Sequence, residues 1–261
     1  MAETSWAQIL VASLGGGITV KILDIAYQEV RTRFRRTETA RKLVDQHLDP
    51  ILKAADEIVS KLRSLAEEDF RSLHDIEGHT PDALAKEPKV LVLLYVFANF
   101  WARIELLRRD TIAVSLQQHP KGRLLKHFFD CLESRRVRLV ERAVQRAIGE
   151  TLIDPTTGAP RTVYFLDFAK RVRDPEVFVW YSPLCSTVVR FRHTRDRQRV
   201  LGYGAVLHAL IDTLDPKHHV TGDRPGWANK LTKRTTRALQ FRVFGRYLGF
   251  VRTRNKYVRG R

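Results

Sequence analysis

Apolar residues along this chain recur mostly at intervals of three and four, the spacing of one helix face. In "HLDPILKAADEIVSKLRSLAEEDF", Leu48, Ile51, Leu52, Ala55, Ile58, Val59, Leu62 and Leu65 form one stripe. The acid-before-base pairs Asp49/Lys53 and Glu57/Lys61 suit the opposite, solvated face. A packing helix is expected here, with Pro50 kinking or restarting it.

The stretch "KVLVLLYVFANFWARIELLRRD" lacks a polar face. From Val90 to Ala102 it is apolar apart from Asn99, and Lys89 and Arg103 bound it closely. Thirteen such residues fall short of the ~20 that cross a bilayer, so the reading is a central buried helix over 88–109. Pro88 suits the first turn and Arg108/Arg109 the last. Next, "GRLLKHFFDCLESRRVRLVERAVQRAIGE" keeps the helical period through Leu124, Leu125, Phe128, Phe129, Leu132, Leu139, Ala143 and Ile148. The turn chemistry of "DPTTGAP" at 154–160 breaks the pattern, and "TLI" and "RTVYF" can pair there as a short hairpin.

Further on, "EVFVWYSPLCSTVVRF" is rich in strand-forming residues. Its spacing overrides that composition, because Val177, Trp180, Tyr181, Leu184 and Val188 advance by three and four. A helix containing Pro183 is therefore expected. Val200, Tyr203, Leu207, Leu210, Ile211 and Leu214 define another, ending at Asp215-Pro216. The fold class is all-α: an irregular multi-helix domain preceded by a single membrane-anchoring helix. Four segments follow, namely an anchor over 1–30, helical regions over 31–153 and 154–223, and a basic aromatic helix and tail over 224–261.

The anchor rests on "WAQILVASLGGGITVKILDIAYQEVRTRFRR". Twelve residues from Ile9 to Val20 carry no charge, and Lys21 and Asp24 share a helix face near the end. Trp6 and Tyr27 stand where interfacial aromatics would sit, and Arg31, Arg33, Arg35 and Arg36 supply a positive-inside flank. That flank places the bulk of the chain on the cytoplasmic side of a membrane. Ala12/Gly16 and Ser13/Gly17 have the small-xxx-small spacing of close helix pairs, so a protein partner or a second copy can pack there. Three adjacent glycines would each cost about 1 kcal/mol in a water-exposed helix, which favours lipid. A signal peptide is disfavoured, since Glu3 is the only charged side chain before Trp6. A soluble helix docked on the domain is the competing reading.

Charge then changes the picture. The net charge is +17, yet residues 1–160 hold 24 basic against 22 acidic side chains, whereas 161–261 hold 22 against 7. No acid follows Asp223, while twelve Lys or Arg do. Such a localised excess suggests a surface for something anionic. In the final stretch, Trp227, Leu231, Ala238, Phe241 and Leu248 are placed on one helix face, with Lys230, Lys233, Arg234, Arg237, Arg242 and Arg246 around the rest. Trp227, Phe241 and Phe244 among those bases suit anionic headgroups, and the same mixture suits nucleic acid.

Motifs for chemistry are sparse. "GGGITVK" and the "GYG" at 202–204 lack phosphate-loop spacing, and no cofactor is expected. Cys131 and Cys185 form no CxxC unit, and His127 lies four residues before Cys131 without an orienting group. His208 and Asp212, four apart, with His218 and His219 downstream, give the one metal-dependent alternative. The leading expectation is a membrane-anchored, non-enzymatic helical scaffold whose basic tail contacts anionic lipid. A soluble nucleic-acid binder and a metal-dependent enzyme are the alternatives.

Overall fold

The computed structural model describes residues 6–76, 80–84, 86–154, 161–227 and 230–259. In the first helix it describes side chains only at Tyr27, Gln28, Arg31 and from Thr37 onward, and later also omits those of 75, 81 and 82. The protein is all-α, as its periodicity requires.

One helix, α1 (Trp6–Glu67), runs unbroken for 62 residues, about 93 Å at 1.5 Å per residue. It passes through Pro50 without restarting. Among its described side chains burial begins at Ala40, while Tyr27, Gln28, Arg31 and 37–39 are exposed. The expected stripe is then enclosed throughout, with Ile51, Ala55, Ile58 and Val59 each 0% exposed.

The buried part of α1 packs on α3 (Pro88–Asp110) and on α8 (Thr194–Leu214). The brief α2 (Pro81–Leu84) lies between α1 and α3 in the chain. α3 is long and apolar enough to span a bilayer, but most of it is enclosed by neighbouring elements. Its Val90, Leu93, Val96, Ala98, Ala102 and Leu106 fall on all sides of the helix and are buried. This is the central helix expected from its missing polar face.

The region read as a single helical period over 122–150 is instead two helices, α4 (Pro120–Leu132) and α5 (Arg142–Thr151). The intervening chain still buries Val137, Leu139 and Val140, but without helical geometry. The break has a cause in Glu133. Its carboxylate binds Arg108 of α3, Arg142 at 2.7 Å and Arg146 at 3.7 Å, so the chain turns around one acid. Beyond α5, β1 (Ile153–Asp154) and β2 (Arg161–Thr162) pair antiparallel as the expected short hairpin.

Next come α6 (Phe165–Arg171) and α7 (Pro175–Val189), the latter helical through Pro183 despite its strand-like composition. Asp174 caps α7, its side chain accepting the Glu176 amide at 2.9 Å. After α8, Asp215 accepts the amides of His219, Val220 and Thr221 and so shapes the following turn. The last elements are α9 (Lys233–Ala238), a π-helical turn (Leu239–Phe244), α10 (Gly245–Tyr247) and α11 (Arg254–Arg259). They pack on α8 and α4.

Candidate anionic-surface site

The final segment reaches the domain through a clamp. Arg224 makes a two-pronged ion pair with Asp56 of α1, Nε–Oδ1 2.7 Å and Nη2–Oδ2 2.8 Å. Arg63 of α1 donates to the carbonyls of Pro225 and Gly226, and its guanidinium lies over the Trp227 ring. Trp227 is only 2% exposed and packs against Gly204 of α8, where an added Cβ would come within 3.0 Å of its ring. It therefore belongs to the core, in an irregular segment before any helix. The expectation that it lies on a helix face and supplies apolar contact to an anionic surface is corrected.

Helix α9 is capped at its start by Thr232, whose hydroxyl accepts the Thr235 amide. Gln198 of α8 fixes that start, donating to the Lys230 carbonyl at 2.9 Å and accepting the Thr232 amide at 2.8 Å. From there two faces separate cleanly. Leu239, Gln240, Val243, Phe244 and Leu248 are buried, and Phe244 is 0% exposed. Phe244 stacks on Tyr257, so its expected place at an anionic surface is also corrected. The outward side presents Lys233, Arg234, Arg237, Phe241, Arg242 and Arg246, all exposed, with Lys230 exposed just before them. Phe241 is 69% exposed amid these bases.

A polar cluster behind the helix holds it in place. Asp212 of α8 accepts the Tyr257 hydroxyl at 3.0 Å and the Lys256 ammonium at 2.8 Å, both on Oδ2. His208 and His218 approach its other oxygen at 3.6 and 3.7 Å. Asp223 adds a second acid beside His218 and Lys256, each at 3.5 Å. Burial pushes His208 down to about 4, more strongly than the nearby Asp212 carboxylate raises it. For Lys256, burial acts to lower the value, but hydrogen bonding and attraction to Asp212 and Asp223 leave it raised.

These are the residues of the metal alternative, and their placement is informative. His208, Asp212 and His218 do come together, but His219 points away, exposed, with only its amide on Asp215. The positive group beside Asp212 is Lys256, whose ammonium repels a metal ion. Among the described residues no group of three or more His, Cys, Asp or Glu is arranged to hold a metal. Thiol chemistry has no support either. Burial pushes Cys131, which also feels Asp130, and Cys185 up to about 12, where both stay protonated. An open groove of about 590 Å³ runs beside Asp56, Lys61 and Arg224, but Asp56 and Arg224 already satisfy each other there.

Of the anchor residues, Tyr27 and Arg31 are exposed. Trp6, Gly16, Gly17, Arg33, Arg35 and Arg36 lie within the span of α1 but outside the residues whose side chains are described. Sequence reasoning missed a second concentration of arginine, in which Arg138, Arg190 and Arg195 lie near enough to Arg199 to oppose its charge. The run "RFRHTRDRQR" at 190–199 is its visible signal. Comparison with known proteins gives no match to a family model, a curated protein or a solved structure.

Proposed function

We propose that this protein is a membrane-attached helical scaffold that lays the outward face of α9–α10 on an anionic lipid surface. The observation that carries this reading is the separation of faces over 233–246. Five bases and the exposed Phe241 point outward, while the apolar residues between them are consumed by the core. Cations on such a face meet headgroup phosphates, and one projecting aromatic enters the interface. The clamp at Asp56 and Arg63 and the cluster at Asp212 fix the face to a rigid body, so little ordering entropy is lost on contact.

The experiment uses protein lacking residues 1–30, so that the proposed anchor cannot dominate; among described side chains, core burial starts only at Ala40. Binding is measured to phosphatidylserine-containing vesicles, neutral vesicles and duplex DNA at one salt concentration. Preference for the anionic vesicles is expected. Replacing Arg234, Arg237, Arg242 and Arg246 by Gln should weaken it by tenfold to about a thousandfold, at about 1 kcal/mol for each basic residue at the surface. Tighter binding to DNA, with a log–log salt slope, would transfer the face to nucleic acid. Indifference of the quadruple variant would reduce the face to a solvated exterior.

A further inference from the structure

Four helices meet around a small internal space. Between α3, α4, α5 and α8, beside the Glu133 turn, lies a cavity with about 10 Å³ open to the centre of a water molecule. Trp101, Ile104, Phe129 and Leu132 form its apolar wall. Its polar wall is unusual for what it leaves unmet. Gln145 is only 3% exposed, and its amide nitrogen Nε2 donates to no described residue. Arg146 Nε and Glu133 Oε2 line the same cavity, and both are buried without a hydrogen bond among the described residues. Arg142 stands 2.7 Å from that carboxylate oxygen and balances its charge, but not in the alignment of a hydrogen bond. From α8, the Tyr203 hydroxyl accepts the Trp101 indole N–H at 3.0 Å and donates to no described residue.

We propose that this cavity is the binding site of one buried water molecule, held by Gln145, Arg146 and Glu133. The water accepts from Gln145 Nε2 and from Arg146 Nε or the Tyr203 hydroxyl, and it donates to Glu133 Oε2. Both requirements of an internal water are met: space of about 10–15 Å³ on this measure, and two to four polar partners. A dry cavity would leave a buried amide and a buried carboxylate oxygen with their full desolvation cost, which native interiors rarely carry. An apolar guest offers these atoms nothing, and a larger polar one exceeds the space. A halide ion could accept from Gln145 and Arg146, but it would face the carboxylates of Glu133 and Glu105. Water alone serves donors and acceptor together. It thereby joins α5 to the turn at Glu133, adding a hydrogen-bonded bridge to the ion pairs there.

This site does not depend on what the α9–α10 face binds. Its direct test is a crystal structure of the full 261-residue chain, with a second crystal soaked in bromide. One water peak is expected within about 3.2 Å of Gln145 Nε2 and of Glu133 Oε2. A map that shows other buried waters but none here overturns the site, and an anomalous bromide peak overturns it in favour of an anion. Thermal melting of Gln145→Met, a change close in volume, gives an independent sign. If the amide is bound to water, the variant loses that bond and melts lower than the parent. If the cavity is dry, methionine removes an unmet buried amide, and the variant melts at the same temperature or higher. The lower value is expected, and either of the others counts against the bound water.

Discussion

His208 shows what burial does to a single side chain. It is 1% exposed, neither ring nitrogen has a hydrogen-bond partner among the described residues, and its ring meets Tyr257 edge-on. Asp212 of α8, Lys256 of α11, Arg63 of α1 and Asp223 of the loop lie around it; burial, reinforced by the two cations, outweighs the two acids. In the unfolded chain the imidazole titrates near 6.5, and in the folded protein at about 4. Between those values the unfolded state binds more protons, so stability falls as pH drops from about 6.5 to about 4 and levels off below. The loss attributable to this group reaches about 3 kcal/mol, because each tenfold difference in proton affinity between the two states is worth about 1.4 kcal/mol. Urea denaturation of the parent and of His208→Gln at pH 7.5, 5.5 and 4.5 checks it. The variant should lose less stability on acidification, whereas parallel curves would mean that His208 is not the group responsible. Helical spacing alone brings His208 and Asp212 together in the sequence. It does not show that Lys256 and Tyr257, more than forty residues on, complete the cluster.

At the scale of elements, helices are legible where one unbroken apolar pattern meets the core, as a stripe in α1, α7 and α8 and as a missing polar face in α3. The pattern misleads where a long-range contact or a change of helical pitch intervenes. The break between α4 and α5 is set by arginines from two other helices converging on Glu133, which no local period reports. In the tail, the π turn over Leu239–Phe244 widens the helix and rotates the faces beyond it. Phe241 is turned outward and Phe244 inward, where composition alone would place both at the surface. Contact between helices also reverses an ordinary preference for alanine. At Gly149 of α5 a Cβ would lie 2.9 Å from the Trp101 carbonyl of α3, a backbone group that cannot yield. At Gly202 of α8 it would meet only Leu239, at 3.5 Å. Gly149→Ala should therefore destabilise by about 1–3 kcal/mol. Gly202→Ala should stabilise by about 0.5–1 kcal/mol through reduced freedom of the unfolded chain. Equal shifts in melting temperature for the two variants would contradict this account of the α3–α5 contact.

For the whole molecule, the arrangement of charge and of apolar helices bears on attachment. The chain has two segments that invite a membrane reading, and the fold treats them differently. α3 has the length and hydropathy to span, yet it is the centre on which α1, α5 and α7 pack, and withdrawing it would dismantle the core. In α1, the stretch from Trp6 to Ala40 corresponds to about 50 Å of helix, and burial among its described side chains starts only at the far end. An anchor in the first part of α1 would thus leave the folded body intact beside the bilayer. The body has +15 of its net charge in residues 161–261, 22 basic less 7 acidic side chains, and under the proposed attachment this charge would face an anionic leaflet. Full-length protein is expected in the membrane pellet after both high-salt and alkaline washing, because neither dissolves a spanning helix. Removal of residues 1–30 should leave only the electrostatic contact, which high salt releases. The arginine flank at 31–36 adds a polarity: in sealed vesicles with the cytoplasmic face outward, protease should digest the helical body rather than find it protected. Full-length protein recovered wholly in the soluble fraction would end the anchor reading. Truncated protein that still resists the alkaline wash would move attachment away from α1, and the first place to look would then be α3.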